Sequence, residues 1–138
     1  MKSVHRELKP ASMQDLPLLQ LAALKGVDIN PLEGYERILG WAETAKGYLP
    51  IAIIDIKRTP YVVEPHVSWM PWASARDISE GFKWFIRQFK EVIFITVIKK
   101  NCGFHELMVK RGILRKIGVL EVKQASEEIH FYQRIDNE

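Results

Sequence analysis

The chain has 138 residues, 47% of them hydrophobic and 27% charged, with a formal net charge of +3. That length suits one domain over residues 1–138 with a real core, and the apolar content excludes a disordered tail. No apolar run approaches the roughly eighteen residues of a membrane-spanning helix, and the charge excess suits an anionic cofactor but falls short of a dedicated DNA binder.

Met1–Lys9 carries His5, Arg6 and Lys9 and no apolar run, so it does not read as a secretory leader. Ser3–Leu8 fits a short first strand, stopped by Pro10, which has no amide hydrogen to donate. Ser12–Lys25 reads as a helix with Ser12 as N-cap, Pro17 near the first turn and Gly26 closing it. Leu16, Leu19, Ala23 and Leu24 are its expected apolar face. Pro31–Leu39 reads as a second short helix before Gly40, and Trp41–Ala45 as a brief strand turned back at Lys46-Gly47.

Ile51–Ile56 is a clear apolar strand with Pro50 at its mouth. Tyr61–Met70 follows as a strand in which Pro65 marks a bulge or an edge. Ser74–Lys90 is the strongest helix: Ser74 and Asp77 resemble a capping box, and Ile78, Phe82, Phe85, Ile86 and Phe89 form a stripe at offsets of three and four. Val92–Ile98 is β-branched and aromatic throughout, as in a strand covered on both faces. Phe104–Lys110 reads as a helix ended by Gly112, and Ile117–Val122 and Ile129–Arg134 as strands forming a hairpin around Ser126. The expected order is β-α-α-β-β-β-α-β-α-β-β, which contains a βαβ unit. The single cysteine, Cys102, excludes an intrachain disulfide and fits a reducing, cytoplasmic setting.

This order, together with the span Asn101–Ile113, resembles the GNAT superfamily of N-acetyltransferases, and the length resembles small GNAT-like proteins of tailed phages. In the family an asparagine opens the helix after the fifth strand, and a glycine-containing ending follows; here Asn101 and Arg111-Gly112-Ile113 stand at that spacing. The resemblance implies a GNAT-like α/β (α+β) domain with a mixed, twisted sheet and helices on both faces. It implies acetyl-CoA as cofactor, with the pantetheine arm between the strands Tyr61–Met70 and Val92–Ile98 and paired with backbone groups from Val67 to Trp69. The family's (Arg/Gln)-x-x-Gly-x-(Gly/Ala) pyrophosphate loop is matched by Arg76-Asp77-Ile78-Ser79-Glu80-Gly81, in which Ser79 replaces the first glycine. The family's tyrosine general acid, seven residues after the asparagine, is Met108 here, which cannot donate a proton.

Glu64 and His66 stand two apart on the strand that borders the family's acyl site, and so share a strand face. Either can serve as a base toward an amine; the bland alternative is an exposed polar sheet face. Cys102 and His105 suggest a nucleophile pair, but with no third partner. No His or Cys spacing suits a metal. Lys99, Lys100, Lys110, Arg111, Arg115 and Lys116 make a basic rim that fits cofactor phosphates, a nucleic-acid backbone or plain solvent. Trp69, Trp72 and Trp84 with Phe82 and Phe85 form an aromatic-rich region, and the adjacent Trp84 and Phe85 cannot both face a core.

Two functions lead, and a third, a small nucleic-acid-associated module, rests on the basic rim alone. One is acetyl transfer from acetyl-CoA to a small-molecule or protein amine. The other is a catalytically inactive GNAT-fold structural or interaction protein, for example a phage virion component or one acting on a host protein. In both, a protein partner or homo-oligomer fits better than nucleic acid, no membrane is expected, and the location is the cytoplasm, or the host cytoplasm or virion for a phage protein.

Overall fold

The structure is a computed structural model that describes residues 4–60, 62–89, 93–98, 103–123 and 127–135. In chain order the strands are β1 (Arg6–Pro10), β2 (Glu36–Thr44), β3 (Gly47–Arg58), β4 (Val62–Trp69), β5 (Ile93–Ile98), β6 (Leu114–Val122) and β7 (Glu127–Arg134). The helices are α1 (Leu16–Leu24), α2 (Ala75–Ile86) and α3 (Gly103–Lys110), with a 3-10 turn at Met13–Asp15 before α1. The chain forms two compact units, Met1–Lys57 with His66–Phe85, and Arg58–Pro65 with Ile86–Glu138.

In the first unit β1 pairs antiparallel with β2, and β2 with β3. The expected helix Pro31–Leu39 is not formed. A turn closed by the Tyr35 amide on the Leu32 carbonyl at 3.2 Å leads instead into β2. Ile38 and Leu39 are both buried although they point to opposite faces, so β2 lacks the alternation that marks a half-exposed strand. Leu32, Tyr35 and Leu39 mimic a helical stripe by spacing alone.

One face of β2 and β3 packs Leu39 and Ile53 with Met70 and with Leu19 and Ala22 of α1. The other places Gly40 beneath Phe85 of α2, so helices cover both faces within this unit. The expected face of α1 needs correction. Leu19 is buried, but Ala22, rather than Leu16, Ala23 or Leu24, shares the inward side with it. The 3-10 turn lets Asp15 accept the Ser12 amide at 2.8 Å, and this shifts the start of α1 past the expected cap.

At the end of this sheet, Glu7 accepts hydrogen bonds from Tyr48 Oη and from His5 Nε2, the latter at 2.9 Å, while Lys9 Nζ lies 5.0 Å from the Trp41 ring centroid. The Tyr48 hydroxyl, then His5, hold the Glu7 carboxyl below its ordinary value of 4.5. A carboxyl whose folded pKa is depressed adds stability above its unfolded pKa and loses it as pH falls through the folded one. Acid titration followed by circular dichroism is expected to show Glu7→Gln flattening the stability slope below pH 4.5. An unchanged slope contradicts the coupling.

In the second unit β4 pairs parallel with β5 through Val62–Ile93 and Val63–Phe94. The antiparallel pairs β5–β7 and β7–β6 complete a mixed arrangement. Pro65, two residues past Val63, has no amide hydrogen for a ladder. Ile86, Phe89, Met108, Ile113, Leu114 and Tyr132 are buried here. Arg134 Nη1 donates to the carbonyls of Ile86 and Phe89 at 3.2 and 2.5 Å, which satisfies chain ends left open where α2 stops.

Candidate functional site

Within the first unit, the strand end His66–Trp69 runs through a five-residue connection into α2. That connection is fastened to β3. The Met70 amide donates to the Ile51 carbonyl at 2.9 Å, and Trp72 Nε1 donates to the Pro50 carbonyl at 2.7 Å. A bulge makes both carbonyls available, because Gly40 pairs with Ala52 but Trp41 with Pro50, leaving Ile51 as the extra residue. Trp72 is half-buried and packs against the core cluster of Leu19, Ala22, Leu39, Ile53 and Met70, at the edge of the unit's core.

The start of α2 is a reciprocal capping box. The Ser74 amide donates to Asp77 Oδ2 at 2.9 Å, the Asp77 amide donates to Ser74 Oγ at 3.1 Å, and the Ile78 amide donates to the Ser74 carbonyl at 3.0 Å. Arg76–Gly81 therefore lies inside the helix rather than in a loop ahead of it. The amides of Ala75 and Arg76 occupy the first turn, where a helix leaves donors without internal partners. Arg76 and Glu80 are exposed, and Asp77, Ile78 and Ser79 half-buried. Gly81 is buried, and a Cβ there would stand 3.0 Å from Ile51 Cδ1 and 3.4 Å from Phe85 Cε2. Close approach of helix to strand accounts for this glycine.

Val67 and Trp69 are half-buried, as is His66, whose ring meets Tyr35 edge-on with centroids 5.2 Å apart. Tyr35 in turn lies under Lys57 Nζ at 5.6 Å. No sequence signal pointed to Tyr35, which sat in a stretch read as helical. Glu64 is half-buried on the part of β4 that belongs to the second unit. Phe85 is buried and Trp84 half-buried, meeting edge-on at 5.6 Å, as adjacent helix positions require.

In the second unit α3 ends in a Schellman motif. The Ile113 amide donates to the Met108 carbonyl at 3.0 Å, the Gly112 amide donates to Val109 at 3.1 Å, and Gly112 has φ 72°. Met108 is fully buried, and Ile113 is buried at the position that normally contacts it in this motif. Lys110, Arg111, Arg115 and Lys116 are exposed. Lys99, Lys100, Asn101 and Cys102 lie outside the described residues, as does the side chain of His105. Among the described residues no cluster of three or more His, Cys, Asp or Glu could hold a metal ion.

No family model matches the sequence, and no curated protein does. Solved structures do. The IAA acetyltransferase from Bacillus cereus ATCC 14579 has a TM-score of 0.56 at 12% identity, covering 96% of this chain and 100% of that one. A spermidine N-acetyltransferase chimera from Vibrio cholerae and hSSAT has a TM-score of 0.55 at 10% identity, covering 94% and 95%. The ribosomal-protein-S18-alanine N-acetyltransferase from Escherichia coli has a TM-score of 0.53 at 7% identity, covering 97% of each chain. The chain has the GNAT fold.

Against the GNAT pattern, two positions are explained by packing. Gly81 makes room for Ile51 and Phe85, and Met108 fills the C-terminal turn of α3. Arg76 remains as an exposed cation at the start of α2, and the half-buried strand end Val67–Trp69 precedes it. For an acetyl-CoA molecule these residues fit in part. A strand backbone, two first-turn amides and one guanidinium are present, while the Asp77 and Ile78 amides are bonded to Ser74.

Proposed function

We infer that the chain is a GNAT-type N-acetyltransferase that moves acetyl from acetyl-CoA to an amine, with residues 1–138 acting as one GNAT-like domain. The observation that carries this is the run from the strand end His66–Trp69, through a connection bonded to β3, onto a capped helix whose first turn presents Arg76. The backbone of Val67–Trp69 would hold the pantetheine arm. The Arg76 side chain and the amides of Ala75 and Arg76 would hold the pyrophosphate, with Asp77, Ile78, Ser79 and Gly81 fixing the helix that presents them, and Asn101 is proposed as a further cofactor-binding residue. Acetyl-CoA supplies the activated acyl carbon when bound. A Glu64 carboxylate oxygen takes the proton from the acceptor amine, directly or through one water, and His66 is the second group able to do so.

The acceptor is an amine of a small molecule or a protein. The GNAT-fold structures of similar shape carry names with unlike acceptors, spermidine and a ribosomal-protein alanine among them. Release of free CoA thiol in the presence of polyamine and peptide amines tests the reading. Glu64→Gln is expected to lower kcat by about 10²–10⁴-fold with little change in KM for acetyl-CoA. A Glu64→Gln protein that folds and keeps the full rate removes Glu64 from the mechanism.

Two observations favour a second reading, a GNAT-shaped protein without chemistry that serves as a structural or interaction component, in a phage particle or against a host protein. Met108 is fully buried and cannot act as a general acid, and the capping box takes amides that a phosphate would otherwise use. Absence of thiol release across the amine panel, with the fold intact, selects this reading.

A further inference from the structure

In the first unit, one face of β2, β3 and the end of β4 gathers polar side chains around His66. Arg37 and Asp55 are register partners whose side chains bond to each other, so both stand on that face. The Met70 amide bonds to the Ile51 carbonyl, which fixes the antiparallel register between β3 and the end of β4. Four residues back along that ladder His66 falls opposite Asp55, on the same face. Tyr35, two residues before Arg37, reaches over β3 to the His66 ring, edge-on with centroids 5.2 Å apart. Lys57, two residues after Asp55, places Nζ 5.6 Å from the centroid of the same Tyr35 ring. Arg37 ties the loop ahead of Tyr35 to the sheet through the Ile29 and Asn30 carbonyls. The half-buried imidazole is therefore oriented by a ring that is itself anchored.

Acetyl transfer needs two proton events, one away from the amine and one onto the sulfur. Met108, fully buried, cannot supply the second. Resting on the transferase reading, we propose that His66 is the general acid that protonates the departing thiolate and that Tyr35 is the residue that positions it. A pantetheine arm running back from the start of α2 along Trp69 to Val67 brings its thioester to the next residue of the strand, which is His66. Histidine is the side chain whose ordinary proton affinity lets it donate near neutral pH. The amine nitrogen forms its bond to the acetyl carbon, and the C–S bond breaks with its electron pair on sulfur. The amine proton goes to Glu64, and the His66 imidazolium gives its own to the thiolate. CoA thiol and the amide leave, and both side chains exchange protons with solvent to return to their starting states. The charged groups on this face are the Arg37–Asp55 pair, which neutralises itself, Lys57 on β3, and Glu64 on the strand of His66 itself. The nearby helix α1 carries no ionisable residue.

Steady-state thiol release by the full chain, with acetyl-CoA and each amine of the panel across a range of pH, tests the assignment. The wild-type kcat is expected to fall on the alkaline side, where the imidazolium is lost. His66→Gln is expected to lower kcat by about 10²-fold, leave KM for acetyl-CoA unchanged and abolish that alkaline fall. Glu64→Gln is expected to keep it, which separates the acid from the base. Tyr35→Leu is expected to lower kcat by about tenfold through misplacement of the imidazole, while Tyr35→Phe, which keeps the ring edge, restores it. Far-UV spectra confirm that each variant is folded. Thiol release whose alkaline fall survives His66→Gln, or Tyr35→Phe as damaging as Tyr35→Leu, overturns this assignment and leaves the transferase standing. Absence of thiol release from the wild type with every amine overturns the transferase reading and this assignment with it.

Discussion

Arg37→Ala is expected to lower the free energy of unfolding by about 3–5 kcal/mol, because it strands a buried carboxylate. Arg37 and Asp55 are paired residues of β2 and β3, with side chains 14% and 8% exposed. Arg37 Nε donates to Asp55 Oδ1 at 2.8 Å and Nη2 donates to Oδ2 at 2.9 Å, the two-pronged geometry that only a guanidinium supplies. The same side chain also donates to the Ile29 carbonyl at 2.6 Å and to Asn30 at 3.2 Å, tying the loop after α1 to the sheet. Loss of the arginine leaves one charge and two carbonyls unmatched. Urea unfolding measures this directly. Arg37→Lys is expected to recover only part of the loss, and replacing both partners together, as Arg37→Met with Asp55→Leu, is expected to cost less than the two single losses summed. A loss below about 1 kcal/mol for Arg37→Ala places the pair with weak surface bridges and contradicts its burial.

Gly40→Ala is expected to destabilise the protein by about 1–3 kcal/mol through overpacking. A Cβ at Gly40 would stand 2.5 Å from Phe85 Cζ and 2.7 Å from Cε2, closer than any real contact, and the Phe85 ring is buried and cannot swing aside. The strand or the helix must shift. Phe85→Leu removes the ring and is expected to relieve part of the cost, so a double-mutant cycle gives a coupling of about 0.5 kcal/mol or more. Simple additivity would show that Gly40 and Phe85 do not meet. The same close approach explains Gly81, and it means that α2 is seated by two small residues rather than by phosphate contacts.

Much of this was legible in the sequence, and the failures have physical causes. The Ser74–Asp77 cap and the Phe82/Phe85 stripe declared α2, and Gly112 with Arg111 and Ile113 declared the end of α3, because local hydrogen-bonding chemistry leaves a local mark. The strand β2 was misread because it is buried on both faces and carries no period of two. The outward side of α1 was misassigned because the helix is apolar nearly all round, so periodicity cannot say which side faces the core. The Arg37–Asp55 pair was invisible, since it depends on strand register across a hairpin. Gly81 looked like a cofactor glycine, and the packing reason became visible only once Ile51 and Phe85 were placed beside it. Asn101, the anchor of the family resemblance, lies outside the described residues, and the solved structures established the fold without it.

Equilibrium unfolding with and without acetyl-CoA tests the central reading most directly. Acetyl-CoA at about a hundred times its dissociation constant is expected to stabilise the protein by roughly 2.7 kcal/mol, and Arg76→Ala to weaken this effect without changing the stability of the unliganded chain. An unfolding midpoint that stays put at millimolar acetyl-CoA would contradict that reading.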